Sequence, residues 1–188
     1  MKKMLVLAAV LCCTFALFGA KLGYIQPTFG IGANFYHDNQ FGITVGADVD
    51  WEVWEKASGG GAGKMYAGLD LAFQYWVPTH DGGEGDWKWH QMRLPLQGNF
   101  AYEFKVNAGP LEYVGPWYSM GVSLDFGAMS GDGAKEINDH TDHFKASFVY
   151  GIGASLAFTG NWALKAGFGG NHGPWWDDYF MVEAAYRF

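Results

Sequence analysis

Residues 144–158 read FKASFVYGIGASLAF, and this stretch decides the fold. Phe144, Ala146, Phe148, Tyr150, Ile152, Ala154, Leu156 and Phe158 share one parity, against Lys145, Ser147, Gly151, Gly153 and Ser155 on the other. A period of two marks a β-strand, because successive side chains on a strand point to opposite faces. No charge interrupts the apolar parity.

The same pattern repeats on both sides of this stretch. Toward the C-terminus a short turn at 159–161 leads to Trp162, Leu164, Ala166 and Phe168 opposite Lys165, Gly167 and Gly169. After a connection at 171–178, Phe180, Val182, Ala184, Tyr186 and Phe188 close the chain. Toward the N-terminus a polar loop at 130–142 separates it from Tyr118, Met120, Val122, Leu124 and Phe126, which oppose Ser119, Gly121, Ser123 and Asp125. Before these come Met92, Leu94, Leu96, Phe100, Tyr102 and Phe104 opposite Gln91, Arg93, Gln97, Asn99 and Glu103, and a loop at 78–86. Met65, Ala67, Leu69, Leu71, Phe73 and Tyr75 precede that loop, behind a glycine-rich connection at 55–64. Two further alternating runs, 25–35 and 41–53, meet across the polar turn 37–40 as a hairpin.

These runs predict an all-β fold, an eight-stranded antiparallel transmembrane β-barrel of up-and-down topology. Outer-membrane barrels have an even strand number and alternating segments of about ten residues. A soluble lipocalin-like barrel would also alternate. Its apolar face would have to fit an interior only just wide enough for side chains or one small ligand, and the apolar residues here are too many for that. Facing lipid they fit, since a charge at mid-bilayer costs about 2–4 kcal/mol and the apolar face carries none.

Composition agrees. The chain has 188 residues, enough for one domain, with 28 glycines, 18% aromatics and 16% charged residues. Soluble domains average roughly 25% charged. A formal net charge of −7 without Lys/Arg clusters argues against a nucleic-acid partner. Residues 1–20 carry Lys2 and Lys3, an apolar run from Met4 to Phe18, then Gly19 and Ala20, the layout of a secretory signal cleaved after Ala20. That run falls short of the roughly 20 residues a membrane helix needs. Both cysteines, Cys12 and Cys13, lie in this leader, so the expected domain, 21–188, depends on no disulfide. Lipidation of either cysteine is disfavoured because the residues before them, Leu11 and Cys12, are not small.

Aromatics gather toward strand ends as two expected interfacial girdles. One holds Trp51, Trp54, Phe104, Trp117, Tyr118, Phe158, Trp162, Tyr186 and Phe188; the other holds Phe35, Tyr36, Phe41, Tyr75, Trp76 and residues 175–180. With both termini periplasmic, the first group marks the periplasmic edge and the second the outer edge.

The last strand ends Tyr186, Arg187, Phe188, similar to the C-terminal aromatic signal by which outer-membrane barrels are presented to the insertion machinery. The stretches Arg93–Leu96 through Tyr102–Phe104, and Gly115–Trp117 through Gly121, resemble segments of the OmpX/OmpA/OmpW-like β-barrel superfamily. The resemblance spans the expected mature chain and implies this fold and an outer-membrane location; outer-membrane lipid as surroundings and a monomeric state are expected alongside it. It carries over no catalytic residue, because the fold hosts structural barrels, adhesins, small pores and enzymes alike.

The inward parity collects the acids Asp48, Asp50, Glu52, Asp70, Glu103, Asp125 and Glu183, with the bases Arg93, Lys145, Lys165 and Arg187. Such a charge network can plug a narrow lumen, or, since acids outnumber bases, line a thin cation-selective channel. Asp139, His140, Asp142 and His143 are metal-ligand types without a third firm ligand, so no metal or other cofactor is expected, and the remaining histidines read as loop residues. His143 and Ser147 share one strand face, the pairing a lipid-hydrolysing serine would need, but at four residues apart they are too far for contact and lack an acid partner. The reading is therefore non-enzymatic. Trp87 and Trp89, and Trp175 and Trp176, place aromatics beside charge near the outer loops, as girdle anchors or as contacts for a surface ligand.

Overall fold

The computed structural model describes residues 20–34, 41–77, 87–131, 144–172 and 177–188. The expected leader, up to residue 19, lies outside them. So do 35–40, 78–86, 132–143 and 173–176, which include Trp175, Trp176 and the Asp139–His143 group.

Eight strands close into one barrel in chain order: β1 (Lys21–Asn34), β2 (Phe41–Lys56), β3 (Gly63–Val77), β4 (Trp87–Ala108), β5 (Leu111–Gly131), β6 (Phe144–Phe158), β7 (Trp162–His172) and β8 (Asp177–Tyr186). Every pair is antiparallel, and β8 returns to β1 through Thr28↔Ala185 to Asn34↔Tyr179. Pro27 sits where that ladder stops; proline has no N–H to give it. Pairing resumes at the chain end, where the Phe188 amide donates to the Ile25 carbonyl at 3.0 Å. Short turns at 57–62, 109–110 and 159–161 share one end with both termini, called the turn end below; the opposite end is the loop end. Gly160 and Asn161 both have positive φ, 81° and 71°, a backbone region that glycine and asparagine enter most readily.

Parity sorts the faces as the sequence predicts. Phe168 is 60% exposed, Leu71 57% and Val122 55%, while Gln26, Ser123 and Asp125 are fully buried. An apolar exterior around a polar interior is the inverse of a water-soluble barrel, and it is what a lipid solvent selects.

Two expectations change. The alternating runs 92–104 and 118–126 belong to strands of 22 and 21 residues, β4 and β5. Crossing the apolar band takes only about ten tilted residues, so beyond it pairing continues without the hydrophobic alternation that betrays a strand. Trp87 and Trp89 consequently lie in β4, opposite Gly131 and Met129, and not in the loop before it. The girdles also lose members to the interior. Trp76 shares the parity of buried Gln74 and is itself 1% exposed; Tyr179, 6% exposed, shares the parity of Glu183, and Trp117 that of Ser119. Neighbours such as Trp117 and Tyr118 cannot both face lipid.

Candidate functional site

The inward polar side chains fall into three layers. At the turn end Arg187 forms a two-pronged pair with Glu103: Nη1 donates to Oε2 at 3.1 Å and Nη2 to Oε1 at 2.5 Å. The guanidinium lies over the Tyr24 ring at 4.3 Å and its Nε donates to Gln26 Oε1 at 3.2 Å. Tyr24 in turn leans on Tyr66, with centroids 4.8 Å apart. Glu52 stands apart at this mouth, accepting from Lys64 Nζ at 2.7 Å.

The middle layer continues the chain of contacts. Gln26 Nε2 donates to Asp48 Oδ2 at 2.5 Å, and Lys165 Nζ donates to the same oxygen. Asp50, Asp70 and Glu183 line the space around Lys165, a cavity of about 50 Å³ that also touches Gln97. That volume admits a few waters and no larger solute.

Toward the loop end Asp125, fully buried, is a hub. Its Oδ1 accepts from Ser123 Oγ at 2.6 Å; its Oδ2 accepts from Asn171 Nδ2 at 2.7 Å and from Ser147 Oγ. Arg93 Nε lies 3.9 Å from Oδ1, and Lys145 faces Asp125 across the β5–β6 ladder. The Arg93 guanidinium sits 5.9 Å from both the Trp76 and the Tyr179 rings, which contact each other at 5.2 Å.

Glycines make room for these inward rings. A Cβ on Gly42 would meet Trp76 at 2.4 Å, one on Gly169 would meet Tyr179 at 2.5 Å, and one on Gly167 would meet Trp117 at 2.6 Å. The inner face is thus shaped as ring against bare backbone, which keeps a narrow barrel filled without straining its walls.

The structure joins Asp48, Lys165, Glu103 and Arg187, through Gln26, into one chain and Asp125 with Arg93 into another. Gln26, Asn171, Ser123 and the inward aromatics were missed, although parity with Asp48's neighbours across the ladder and with Gln74 carries their signal. Ser147, on the inward parity, donates to Asp125. His143 itself lies outside the described residues.

On the outer face, near the loop end, Tyr75, His90 and Ser130 form a second polar group. Tyr75 Oη is 2.7 Å from His90 Nδ1, and His90 Nε2 is 2.8 Å from Ser130 Oγ. The Tyr75 and His90 rings stack at 6.1 Å with planes 11° apart. No group of three or more metal-ligating side chains occurs among the described residues.

The fold and lumen define a small eight-stranded transmembrane β-barrel of the outer-membrane type. No family model matches the chain, and no curated protein does. Among solved structures it is similar to the outer membrane enzyme PagL, at 19% identity with a TM-score of 0.53 over 86% of this chain and 98% of that one. It is also similar to Ail, the attachment invasion locus protein of Yersinia pestis, in complex with the heparin analogue sucrose octasulfate, at 15% identity with a TM-score of 0.51 over 88% and 97%. At these identities the likeness is one of fold.

Proposed function

We propose that the protein is a monomeric outer-membrane barrel, exported by a leader cleaved after Ala20, whose interior is closed and whose role is structural or surface contact. The turn end faces the periplasm and the longer loops face outward, as in barrels with short periplasmic turns and long external loops. Tyr186 and Phe188 serve as its insertion signal, and Trp87, Trp89, Trp175 and Trp176 are the residues assigned to contact with a surface ligand. One observation carries the closed reading. The chain Glu103, Arg187, Gln26, Asp48, Lys165 crosses the lumen from wall to wall, separating a cavity of about 50 Å³ around Lys165 from one of about 270 Å³ at the turn end, lined by Tyr66, Glu103, Tyr113 and Arg187.

A cation channel is the second reading, favoured by five acids (Asp48, Asp50, Asp70, Glu103, Glu183) gathered around two bases (Lys165, Arg187). Single-channel recording on residues 21–188 in a planar bilayer separates them. A folded barrel that stays silent supports closure; discrete cation-selective steps replace it with the channel.

A further inference from the structure

The group Tyr75, His90 and Ser130 is not part of the plug. Tyr75 has the parity of exposed Phe73, His90 that of exposed Leu94, and Ser130 that of exposed Val122, so all three belong to the lipid-facing side. They also share a level. Among the described residues β3 pairs with β4 up to Trp76↔Gln91, β5 with β6 up to Phe126↔Phe144, and β4 with β5 up to Trp87↔Gly131. Below the polar group stand Phe126 and Phe144, rings 5.2 Å apart, with Phe144 56% exposed. A polar group just above an apolar wall matches the boundary between headgroups and acyl chains, where the ester carbonyls of a bilayer lipid lie.

The geometry is that of an activated nucleophile: a hydroxyl within hydrogen-bond reach of an imidazole whose other nitrogen is held by a third group. In the tautomer protonated at Nδ1, His90 donates to Tyr75 Oη and Nε2 accepts the Ser130 hydroxyl proton. Serine is a poor nucleophile until a base takes that proton.

We propose that Ser130 and His90 cleave acyl esters of lipids in the surrounding leaflet, with Tyr75 as a positioning residue. Ser130 Oγ bonds to the ester carbonyl carbon while its proton passes to His90 Nε2. The bond from that carbon to the lipid's alcohol oxygen then breaks, and the departing oxygen takes the proton from Nε2. Water repeats the cycle on the acyl-serine, releasing a fatty acid and restoring the hydroxyl. This activity goes beyond the closed-barrel reading and rests on it only for which leaflet supplies the lipid; a conducting barrel could still act on esters, and a silent one could fail to.

The test uses the full chain, expressed with its leader and purified folded in detergent, as unboiled gel mobility verifies. A fluorophosphonate probe should label it, and peptide mapping should place the label on Ser130. p-Nitrophenyl hexadecanoate in mixed micelles should be hydrolysed. Ser130→Ala and His90→Gln should each lose at least tenfold in both readouts, whereas His172→Ala, altering the rim histidine stacked on Tyr150, should match the unsubstituted protein. Tyr75→Phe should lower kcat with KM unchanged. A folded, unsubstituted barrel that neither labels at Ser130 nor cleaves the ester overturns the proposal, as does labelling at any other residue.

Discussion

Arg187 and Glu103 meet through two hydrogen bonds although they lie 84 positions apart, joining the chain end to the turn-end part of β4 across the lumen. Glu103 is 1% exposed, so its charge is out of reach of bulk water and depends on that guanidinium. Removing one partner of a buried pair strands the other and costs about 3–5 kcal/mol, whereas replacing both by apolar groups is often close to neutral. Glu103→Gln should therefore lower the urea midpoint of the barrel in detergent, and Glu103→Met with Arg187→Met should recover much of the loss. Equal destabilisation by single and double variants would mean that the pair does not hold the turn end shut.

Asp125 carries a different kind of load. Three donors converge on it from β5, β6 and β7. Asp125→Ala leaves Ser123, Ser147 and Asn171 buried with donors unmet, and each such group costs about 1–3 kcal/mol. Proteolysis of the folded barrel should become faster near the loop end and stay unchanged at 109–110. Uniform sensitivity along the chain would speak against a local hub.

These contacts show where the sequence is legible and where it is not. Parity places Asp48, Glu103, Asp125 and Arg187 on the inner face, because lipid on one side forces strict alternation. It also held Trp76 and Tyr179 inside, had parity been given precedence over the expectation that aromatics near strand ends form girdles. Partnership is another matter. That Tyr75 reaches His90 and His90 reaches Ser130 depends on the stagger between β3, β4 and β5, and no local pattern encodes a stagger. The outer ends of β4 and β5 escaped for a related reason, since pairing above the apolar band leaves no hydrophobic period to read.

Gly169 tests whether the inner rings need bare backbone. Its added Cβ would lie 2.5 Å from the Tyr179 ring, while one on Gly60 meets nothing within 4 Å. Overpacking costs about 1–3 kcal/mol, against about 0.5 kcal/mol or less for an unconstrained surface change. Gly169→Ala should thus lower the unfolding midpoint, Gly60→Ala should not, and Tyr179→Ala should absorb the effect of Gly169→Ala. Independent, additive losses would place the strain elsewhere.

Phe188 contributes little to the folded barrel by burial, being 76% exposed, although its ring touches Tyr186 at 4.9 Å. A residue kept for assembly and not for stability should separate the two measurements. Phe188→Ala should refold in detergent with an unchanged midpoint, yet accumulate in the outer membrane of cells at a fraction of the usual level. Normal cellular yield would remove the insertion signal from the account of this chain end.

Val122 decides what solvent the exterior was built for. It lies midway along β5, 55% exposed, flanked across the ladders by Leu96 and Phe148. In water an arginine at so open a position would change stability by no more than about 0.5 kcal/mol. At the bilayer midplane the same substitution costs about 2–4 kcal/mol, falling to about 0–1 near the interfaces. Val122→Arg, measured by reversible unfolding from lipid vesicles, should therefore cost several times what Trp162→Arg costs beside the 159–161 turn, where the surrounding level is interfacial and the ring is equally exposed. The depth dependence is the informative quantity, because a water-facing exterior has no midplane and would give two small, similar losses.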